Sequence, residues 1–443
     1  MSCPPSFESA EQYLEECTQF FKEFRHVFCH QNNEVLVHHV LDNIDVCNIE
    51  SVDVFDKKFD ITSLITDDDY LNRFFSTLDR LKVNYEDVEE KDFDEDLEAP
   101  LSPKKKYEIL NLVKEVVNLC ENNNCDLLVD FGSGLGYIDQ LIYDIADYKV
   151  LGLECNDSHY HGAQKRQMQY HTASASNVKF LKHTVKEDSH LIIAEYLQEV
   201  FPDHGSFCMI GLHACADLSV QAMCNFLKMN DANTLCVLPC CYHKMTKDGA
   251  KFKYFPLSDS VKKLVDKYDA YGYTDVSFLR LAAHSGSEHR DLYEKVFCLL
   301  VRAVLELYAQ KNGFIIKRNK RKAVRLKDKR DFECYILDAA THGYSLTPKD
   351  KRTPQDTNKT DEIINNFNMA ELRQLWRDIS QGPLLKKAGV YILMQEYMQP
   401  IVENYVLLDR LLFLKENGIK NCWYKKIFNQ HISPRCLALV AVK

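Results

Sequence analysis

The hydrophobic positions divide the chain into a helical start, a centre of alternating strands and helices, a polar stretch and a short end. Between residues 8 and 85, apolar residues recur every three to four positions, which predicts helices. From residue 101 to about 245, short apolar runs alternate with amphipathic segments, as in a parallel sheet covered by helices. The stretch 246–395 does not show this alternation: its segments are longer and more polar than those of the centre. The alternation returns at about 396–443.

The central segment predicts five strands, and the carboxyl-terminal end predicts two more. The central strands are Asp126–Phe131, Tyr148–Leu153, Val178–Val185, Phe207–Leu212 and Thr234–Leu238. Near the end, Pro400 is predicted to open a helix that Gly418 closes, and the strands Cys422–Asn429 and Cys436–Val442 follow. We therefore predict an α/β fold with a doubly wound, Rossmann-like sheet of seven strands, in which the last strand pair is antiparallel.

The same pattern predicts five consecutive regions. They are a helical amino-terminal region (1–85), an acidic linker (86–100), the first part of the sheet domain (101–245), an insertion with a basic segment at 317–330 (246–395), and the last helix and strand pair of the sheet domain (396–443). The sheet domain is thus predicted to be interrupted by the insertion.

Composition and charge bear on where the protein is located and on what it can bind. The net charge is −10, which argues against a surface coated with positive charge for nucleic acid, but Lys317–Arg330 holds nine Lys or Arg and one Asp and could meet phosphate. The 17 cysteines lie scattered among apolar runs, and we see no secretory signal and no apolar run long enough to cross a membrane. We expect reduced thiols, no membrane partner and a location in the cytoplasm or nucleus, and we predict no oligomeric state.

A glycine-rich turn between the first strand and its helix is the strongest chemical signal. Asp130 and Phe131 precede Gly132, Ser133, Gly134, Leu135 and Gly136, and Glu154 ends the second strand. Glycines let the backbone approach a ligand, and a carboxylate such as Glu154 can bind both hydroxyls of a ribose. A dinucleotide-binding fold wants a further glycine where this chain has Tyr137, so a nicotinamide or flavin cofactor is disfavoured, as is an empty structural turn.

The Gly-x-Gly-x-Gly spacing after an Asp suits S-adenosyl-L-methionine, whose methionine carries an ammonium and no pyrophosphate. We therefore predict a methyltransferase that uses this cofactor. The predicted cofactor-binding residues are Asp130, Gly132, Ser133, Gly134, Gly136, Glu154 and, after the third strand, Asp188.

Reactive side chains end the fourth and fifth strands, which face the methyl group in such a sheet. The candidate catalytic residues are His213, Cys215, Asp217, Cys240, Cys241, Tyr242 and His243. Hydrophobic strands that break into His, Cys and Asp together are hard to explain as core packing alone.

These residues, with Ile432–Lys443 at the carboxyl end, make the chain resemble the methyltransferase-like protein 25 family, some of whose members are labelled ribosomal RNA adenine dimethylase domain-containing proteins. The resemblance covers Ser102–His243, Phe255–Ser258 and the carboxyl end, about half of the chain. It implies a methyltransferase without a defined substrate. A more distant likeness is to the eukaryotic tRNA 2′-O-methyltransferase of the acceptor stem, although this chain has Tyr242 where that enzyme has His.

Four interpretations of the His/Cys cluster stay open. His213 or His243 could remove a proton from an amine or hydroxyl, which we favour. The thiols could instead fill space, with Asp217 capping its helix. A thiolate could attack a pyrimidine ring. A zinc site from both His and the three Cys comes last, because the ligand pairs lack the usual gaps of two to four residues, and we assign no metal ligand.

The substrate is predicted with less support than the cofactor. RNA is slightly favoured by the basic segment and the tRNA-enzyme likeness, and a ribosomal or other translation-related protein comes next. The Asp/Asn-Pro-Pro-aromatic motif of many amino-group methyltransferases of nucleic acid is absent, which weakens adenine N6 dimethylation. The alternatives of another class are a catalytically silent binding or scaffold protein and an oxidoreductase.

Overall fold

A seven-stranded sheet organises the computed structural model. The structure describes residues 3–44, 46, 49–65, 70–88, 100–284, 291–319, 331–349 and 367–443. Its strands are β1 (Cys125–Phe131), β2 (Lys149–Glu154), β3 (Val178–Lys182), β4 (Ser206–Cys215), β5 (Ala232–Cys240), β10 (Asn421–Lys426) and β11 (Leu437–Val442). The order across the sheet is β10-β11-β5-β4-β1-β2-β3. The five neighbouring strands β5, β4, β1, β2 and β3 are parallel to one another, and β11 is antiparallel to both β5 and β10. The predicted α/β fold is therefore confirmed.

Contacts divide the chain into two compact units. Unit 1 comprises 1–19, 81–286 and 400–443 and holds the sheet, and unit 2 comprises 20–80 and 287–399. The predicted regions divide the chain differently, since residues 246–286 belong with the sheet. The rest of the predicted insertion, from residue 287 on, shares unit 2 with residues 20–80 of the helical amino-terminal region.

The first segment of unit 1 ends within α1 (Ala10–Glu23), and its last segment holds the last part of α13 (Leu384–Glu416) and the strand pair. Its other elements are α3 (Pro103–Asn122), α4 (Tyr137–Ala146), α5 (Asp157–Tyr170), α6 (His190–Val200), α7 (Leu218–Lys228), the hairpin β6 (Lys247–Asp248) and β7 (Lys251–Phe252), α8 (Asp259–Lys267) and α9 (Val276–Ala282). Pro400 lies inside α13 instead of opening a helix, although proline cannot donate the hydrogen bond of that position.

The centre of the sheet is buried because its central strands are apolar on both faces. β1 has five buried residues in a row, from Leu127 to Phe131, as a central parallel strand requires. Leu128 pairs with Val150 of β2 on one side and with Cys208 of β4 on the other. Helix α3 covers this core and begins as the sequence predicts, because the Ser102 hydroxyl accepts a hydrogen bond from the Lys105 N–H and Pro103 fills the first turn.

Unit 2 contains α2 (Tyr70–Leu81), α10 (Leu292–Lys311), β8 (Phe314–Arg318), α11 (Phe332–Asp338), β9 (Tyr344–Pro348), α12 (Met369–Ser380) and the first part of α13. Phe75 packs on Tyr397 with their ring centroids 5.2 Å apart. Gly389 lies so close to Val54 that a side chain there would come within 3.2 Å of it. Such contacts explain why residues 20–80 form one unit with residues 287–399.

Two predicted charged segments fall largely beyond the part of the chain that the structure describes. Of the acidic linker, 89–99 lie outside it, and of the basic segment, 320–330 lie outside it. Within the described ranges, no helix has both the length and the apolar character needed to span a membrane.

Candidate functional site

The glycine-rich turn connects β1 to α4 at the carboxyl-terminal edge of the sheet. Gly132, Gly134 and Gly136 all have positive φ, at 89°, 60° and 71°, a conformation that other residues rarely adopt. A Cβ at Gly136 would lie 2.7 Å from the Phe180 ring, whereas a Cβ at Gly134 would meet nothing within 4 Å. Gly136 is therefore fixed by packing, and Gly134 borders open space.

Glu154, at the end of β2, turns its carboxylate toward this turn. One oxygen accepts a hydrogen bond from the Gly134 N–H at 2.9 Å, and the other accepts one from the Asn156 N–H at 2.7 Å. Each carboxylate oxygen has a second lone pair, so both can still accept a bond from a ligand hydroxyl. The predicted residue thus lies directly beside the open glycine.

The Asp130 side chain is buried beneath the turn, next to the side chain of Asp139 of α4. Both carboxyl groups are almost fully buried, and apart from each other their oxygens have no hydrogen-bond partner among the described residues. Burial raises the pKa of Asp130 to about 7, against the lowering effects of Asp139 and of the Lys105 charge. Burial and the Asp130 charge raise the pKa of Asp139 well above its usual value. The pair therefore holds protons that exposed carboxyls would release.

The other two predicted cofactor residues differ in their surroundings. The Ser133 hydroxyl is buried without a hydrogen-bond partner in the described ranges. Asp188 is exposed in the loop after β3, while its neighbour Ser189 is buried and accepts a hydrogen bond from the Lys186 N–H at 2.7 Å. Ser133 belongs to the turn, and Asp188 lies on the loop after the third strand.

His213 lies near the end of β4, and a carboxylate that the sequence did not single out holds its ring. The His213 Nε2 atom is 3.1 Å from Oε2 of Glu108, which lies on α3 and is 2% exposed. The Ser433 hydroxyl donates to Oε1 of the same carboxylate at 2.7 Å, and Lys104 Nζ is 3.8 Å from it.

The ionisation of Glu108 fixes the tautomer of His213. Burial by itself would raise the pKa of Glu108, but the hydrogen bonds from His213 and Ser433 and the charges of His213 and Lys104 lower it. An ionised carboxylate only accepts hydrogen bonds, so Nε2 carries a hydrogen and Nδ1 is left to accept a proton when the ring is neutral.

Three cysteines converge at the ends of β4 and β5. Cys215 and Cys240 are partners in the strand register, and their Sγ atoms are 2.9 Å apart. The Cys215 Sγ lies 3.7 Å from that of Cys241. The hydrogen bond from Cys240 lowers the pKa of Cys215 to about 6, and the bond from Cys241 and the charges of His213 and Lys244 act in the same direction. The pKa of Cys240 is raised in turn by that hydrogen bond and by burial.

The remaining predicted catalytic residues have different environments. The Asp217 carboxylate makes no capping bond to its helix and instead accepts a hydrogen bond from the Thr246 N–H at 2.9 Å. Tyr242 is 1% exposed, and its hydroxyl lies 3.0 Å from Oε1 of Glu403. The Nδ1 atom of His243 is buried without a hydrogen-bond partner among the described residues, and burial with the charges of Arg280 and Lys244 lowers its pKa. His213 and the three cysteines thus lie at the ends of β4 and β5, and Tyr242 lies in the core.

Sequence reasoning missed Glu108, Asp139 and Ser433. Glu108 stands on an amphipathic helix, where a carboxylate ordinarily faces solvent. Ser433 is separated from it by 325 residues along the chain. Only Ser433 carried a signal, because it belongs to the carboxyl-terminal motif on which the family resemblance rests.

The strand order with one reversed strand, the glycine turn and the acidic end of β2 together define a methyltransferase-type domain. In agreement, residues 104–248 match a family model described as a methyltransferase domain. The chain is 23% identical over 260 residues to "Probable methyltransferase-like protein 25" of Homo sapiens and 22% identical over 261 residues to the Mus musculus protein of that name. These matches confirm the predicted resemblance to the methyltransferase-like protein 25 family.

The two alignments cover 56% of this chain but 38% and 39% of the two relatives, so the chain spans well under half of their length. Among solved structures, a putative caffeoyl-CoA O-methyltransferase from Staphylococcus aureus is 13% identical, with 50% of this chain and 81% of that chain covered and a TM-score of 0.23. Magnesium protoporphyrin IX methyltransferase from Synechocystis PCC 6803, solved with bound SAH, is 12% identical, with 49% and 78% covered and a TM-score of 0.23. The fold assignment rests on the strand order of the sheet and not on these low scores.

Proposed function

We propose that this chain is an S-adenosyl-L-methionine-dependent methyltransferase that acts on RNA. The observation that carries the cofactor assignment is the set of polar groups gathered around an open glycine. The hydroxyl of Ser133 is buried without a partner in the described residues, and the oxygens of Asp130 have no partner there except Asp139. Glu154 lies beside Gly134, where a Cβ would meet open space. Buried polar groups without partners are costly, so a ligand that pairs with them is favoured.

The donor set fits this cofactor better than a dinucleotide. Asp130 and Asp139 form a buried acidic pair under the turn. A cationic ammonium bound there would favour the ionised form of the pair, whereas a pyrophosphate would be repelled by it. Glu154 keeps lone pairs for the two hydroxyls of a ribose. When bound, S-adenosyl-L-methionine supplies a methyl group on a positively charged sulfur.

His213 is the residue that we propose removes a proton from the methylated group. Glu108 holds Nε2–H, and Ser433 holds Glu108, so that the ring keeps one orientation and one tautomer. The His213 side chain is 32% exposed, which leaves it accessible to a substrate. His213 would take the proton of the substrate nitrogen or oxygen on Nδ1, and the bound cofactor would supply the methyl group to that atom.

RNA is proposed as the substrate class on three observations. The chain carries nine Lys or Arg within 317–330, and it has His-x-Cys and Cys-Cys-Tyr-His segments like those of the acceptor-stem tRNA methyltransferase. Methylation of a ribose hydroxyl also needs a base that removes the hydroxyl proton, and His213 is held in the form that can do so. A protein substrate from the translation machinery is the outcome that the test must distinguish.

A matched pair of glycine variants tests the cofactor site. Gly134 and Gly249 have nearly the same backbone, with φ of 60° and 61°, and a Cβ at either meets nothing within 4 Å. Gly249 belongs to the β6–β7 hairpin, outside the glycine turn. We expect Gly134→Arg to abolish binding of S-adenosylhomocysteine in calorimetry and Gly249→Arg to leave its affinity unchanged. No binding by the unmodified chain, or equal binding by both variants, would disprove the assignment.

Radiolabelled methyl transfer tests the substrate. RNA and protein fractions from the cytoplasm and nucleus of cells lacking the gene should be incubated with the purified chain and labelled S-adenosyl-L-methionine. We expect label in RNA, and none with the Gly134→Arg variant. Label in protein alone would overturn the RNA assignment, and binding without any transfer would favour a silent scaffold.

A further inference from the structure

We propose that Cys215, Cys240 and Cys241 form a binding site for a thiophilic divalent cation, with zinc as the leading candidate. The three Sγ atoms all lie within 4.8 Å of one another. This proposal concerns the thiols themselves and does not depend on the function proposed above. The spacing of the cysteines along the chain argues against such a site, and their positions in space argue for it.

The backbone is what brings the three sulfur atoms to one point. Successive side chains of a strand point to opposite faces, so neighbours such as Cys240 and Cys241 should diverge. Cys241 instead takes a left-handed conformation with φ of 52°, directly after β5 ends, and its Sγ comes within 3.7 Å of that of Cys215. Two further non-glycine residues beside Cys215 are also left-handed, His213 with φ of 56° and Ala216 with φ of 53°.

Three such residues in one place are unusual. Each costs on the order of 1 kcal/mol or more, and strained backbone of this kind is concentrated at functional sites. The register of β4 on β5 also shifts between Gly211 and Ala214, so that Cys215 lies opposite Cys240. The cost is explained if the convergence of the thiols has a use.

The sulfur distances suit a tetrahedral ion. Zinc–sulfur bonds of about 2.3 Å place two thiolates about 3.8 Å apart. The Cys215–Cys241 separation is 3.7 Å, and the Cys215–Cys240 separation of 2.9 Å must widen by roughly 0.9 Å to match that geometry. Soft thiolate ligands select zinc over magnesium or calcium.

The three-cysteine site is open to solvent, and three thiolates leave one position of a tetrahedral ion without a protein ligand. Cys215 is exposed, Cys241 is half-buried and Cys240 is buried, so an ion can arrive from solvent. Within the described residues the cluster consists of these three side chains. Three protein ligands leave a fourth position for water or for a substrate atom, as in catalytic rather than structural zinc sites.

Cobalt binding tests the proposal on the full-length chain, reduced and stripped of metal with a chelator. Co²⁺ bound to thiolates gives an intense sulfur-to-cobalt charge-transfer absorption, and Zn²⁺ should displace it. We expect one Co²⁺ per chain with this absorption. Each of Cys215→Ser, Cys240→Ser and Cys241→Ser should weaken binding by more than about tenfold, because even loss of an outer-shell partner has an effect of about 10- to 100-fold.

Two control variants separate this site from other metal-binding side chains. Cys334 is an exposed cysteine elsewhere in the chain, and Cys334→Ser should keep the absorption. His30, Glu34 and His38 form a second group of close ligands in unit 2, with the two imidazoles stacked 4.1 Å apart. His38→Ala should also keep the absorption, because a site of imidazoles gives no thiolate band.

X-ray absorption at the zinc edge of the loaded wild-type protein guards against variants that fail to fold, and it should count three sulfur neighbours. Absence of the thiolate band from the wild-type protein, its survival in the three single variants, or a zinc shell without sulfur would overturn the proposal.

Discussion

The substitution Asp130→Asn tests whether the buried carboxyl pair holds its protons as the structure indicates. Asp130 keeps a proton in the folded chain up to a pKa of about 7, whereas the usual value for the group is 3.8. The folded state therefore binds more protons than the unfolded state between these values, and the free energy of unfolding falls as the pH rises. The contribution is complete below about pH 4 and is lost by about pH 7.

The size of the effect follows from the difference in pKa. A difference of about three pH units corresponds to about 4 kcal/mol, since each unit is worth about 1.4 kcal/mol. An asparagine amide does not titrate and loses nothing over this range. The free energy of unfolding of Asp130→Asn, measured relative to wild type, should thus rise by about 1.4 kcal/mol per pH unit from pH 4 to pH 7 and then level off.

Tryptophan fluorescence can follow the sheet alone. The chain has two tryptophans, Trp423 in β10 of unit 1 and Trp376 in α12 of unit 2. In a Trp376→Phe background, urea unfolding monitored at Trp423 reports on unit 1 at each pH. Affinity for S-adenosylhomocysteine, measured on the same samples, should fall in Asp130→Asn because a ligand ammonium loses its carboxylate.

Asp139→Asn provides the internal comparison. Burial and the Asp130 charge also raise the pKa of Asp139, so the free energy of unfolding of Asp139→Asn, measured relative to wild type, should likewise rise with pH. A pH-independent difference between Asp130→Asn and wild type would refute the buried, protonated pair. Higher stability with unchanged ligand affinity would refute its role in binding.

Three other predictions concern the base, the turn and the sheet edge. Glu108→Gln removes the charge that fixes His213, so turnover should fall by about two orders of magnitude with unchanged affinity for S-adenosylhomocysteine, while Ser433→Ala, which removes one bond to Glu108, should keep most activity. Full activity of Glu108→Gln would contradict this role. Gly136→Ala should lower the melting temperature, because its Cβ would lie 2.7 Å from Phe180. Gly134→Ala should weaken ligand binding more than it lowers stability. Equal melting temperatures of the two variants would contradict the packing argument. Deleting residues 420–443 should unfold unit 1, since it removes β10 and β11 and exposes the edge of β5. A soluble, ligand-binding chain that ends at 419 would show the strand pair to be dispensable.

Local sequence determined the strands of the sheet and the glycine-rich turn. Each of the seven predicted strands overlaps an observed one, because a buried parallel strand needs a continuous apolar run and a turn needs glycine where φ is positive. Gly132, Gly134, Gly136 and Glu154 could be recognised for the same reason, since their roles depend on neighbours within one strand–turn–helix unit.

Tertiary structure decided the contacts between segments that lie far apart along the chain. Glu108 reaches His213 across 105 residues and Ser433 across 325, and no periodicity records such a pairing. The division into two units was also hidden, because the aromatic residues of 20–80 are equally suited to any apolar partner. The thiols of Cys215, Cys240 and Cys241 meet because parallel strands β4 and β5 end at the same edge and a left-handed residue reverses one side chain. Spacing along a strand fixes which face a side chain points to, but only the register between strands fixes which side chain it meets there.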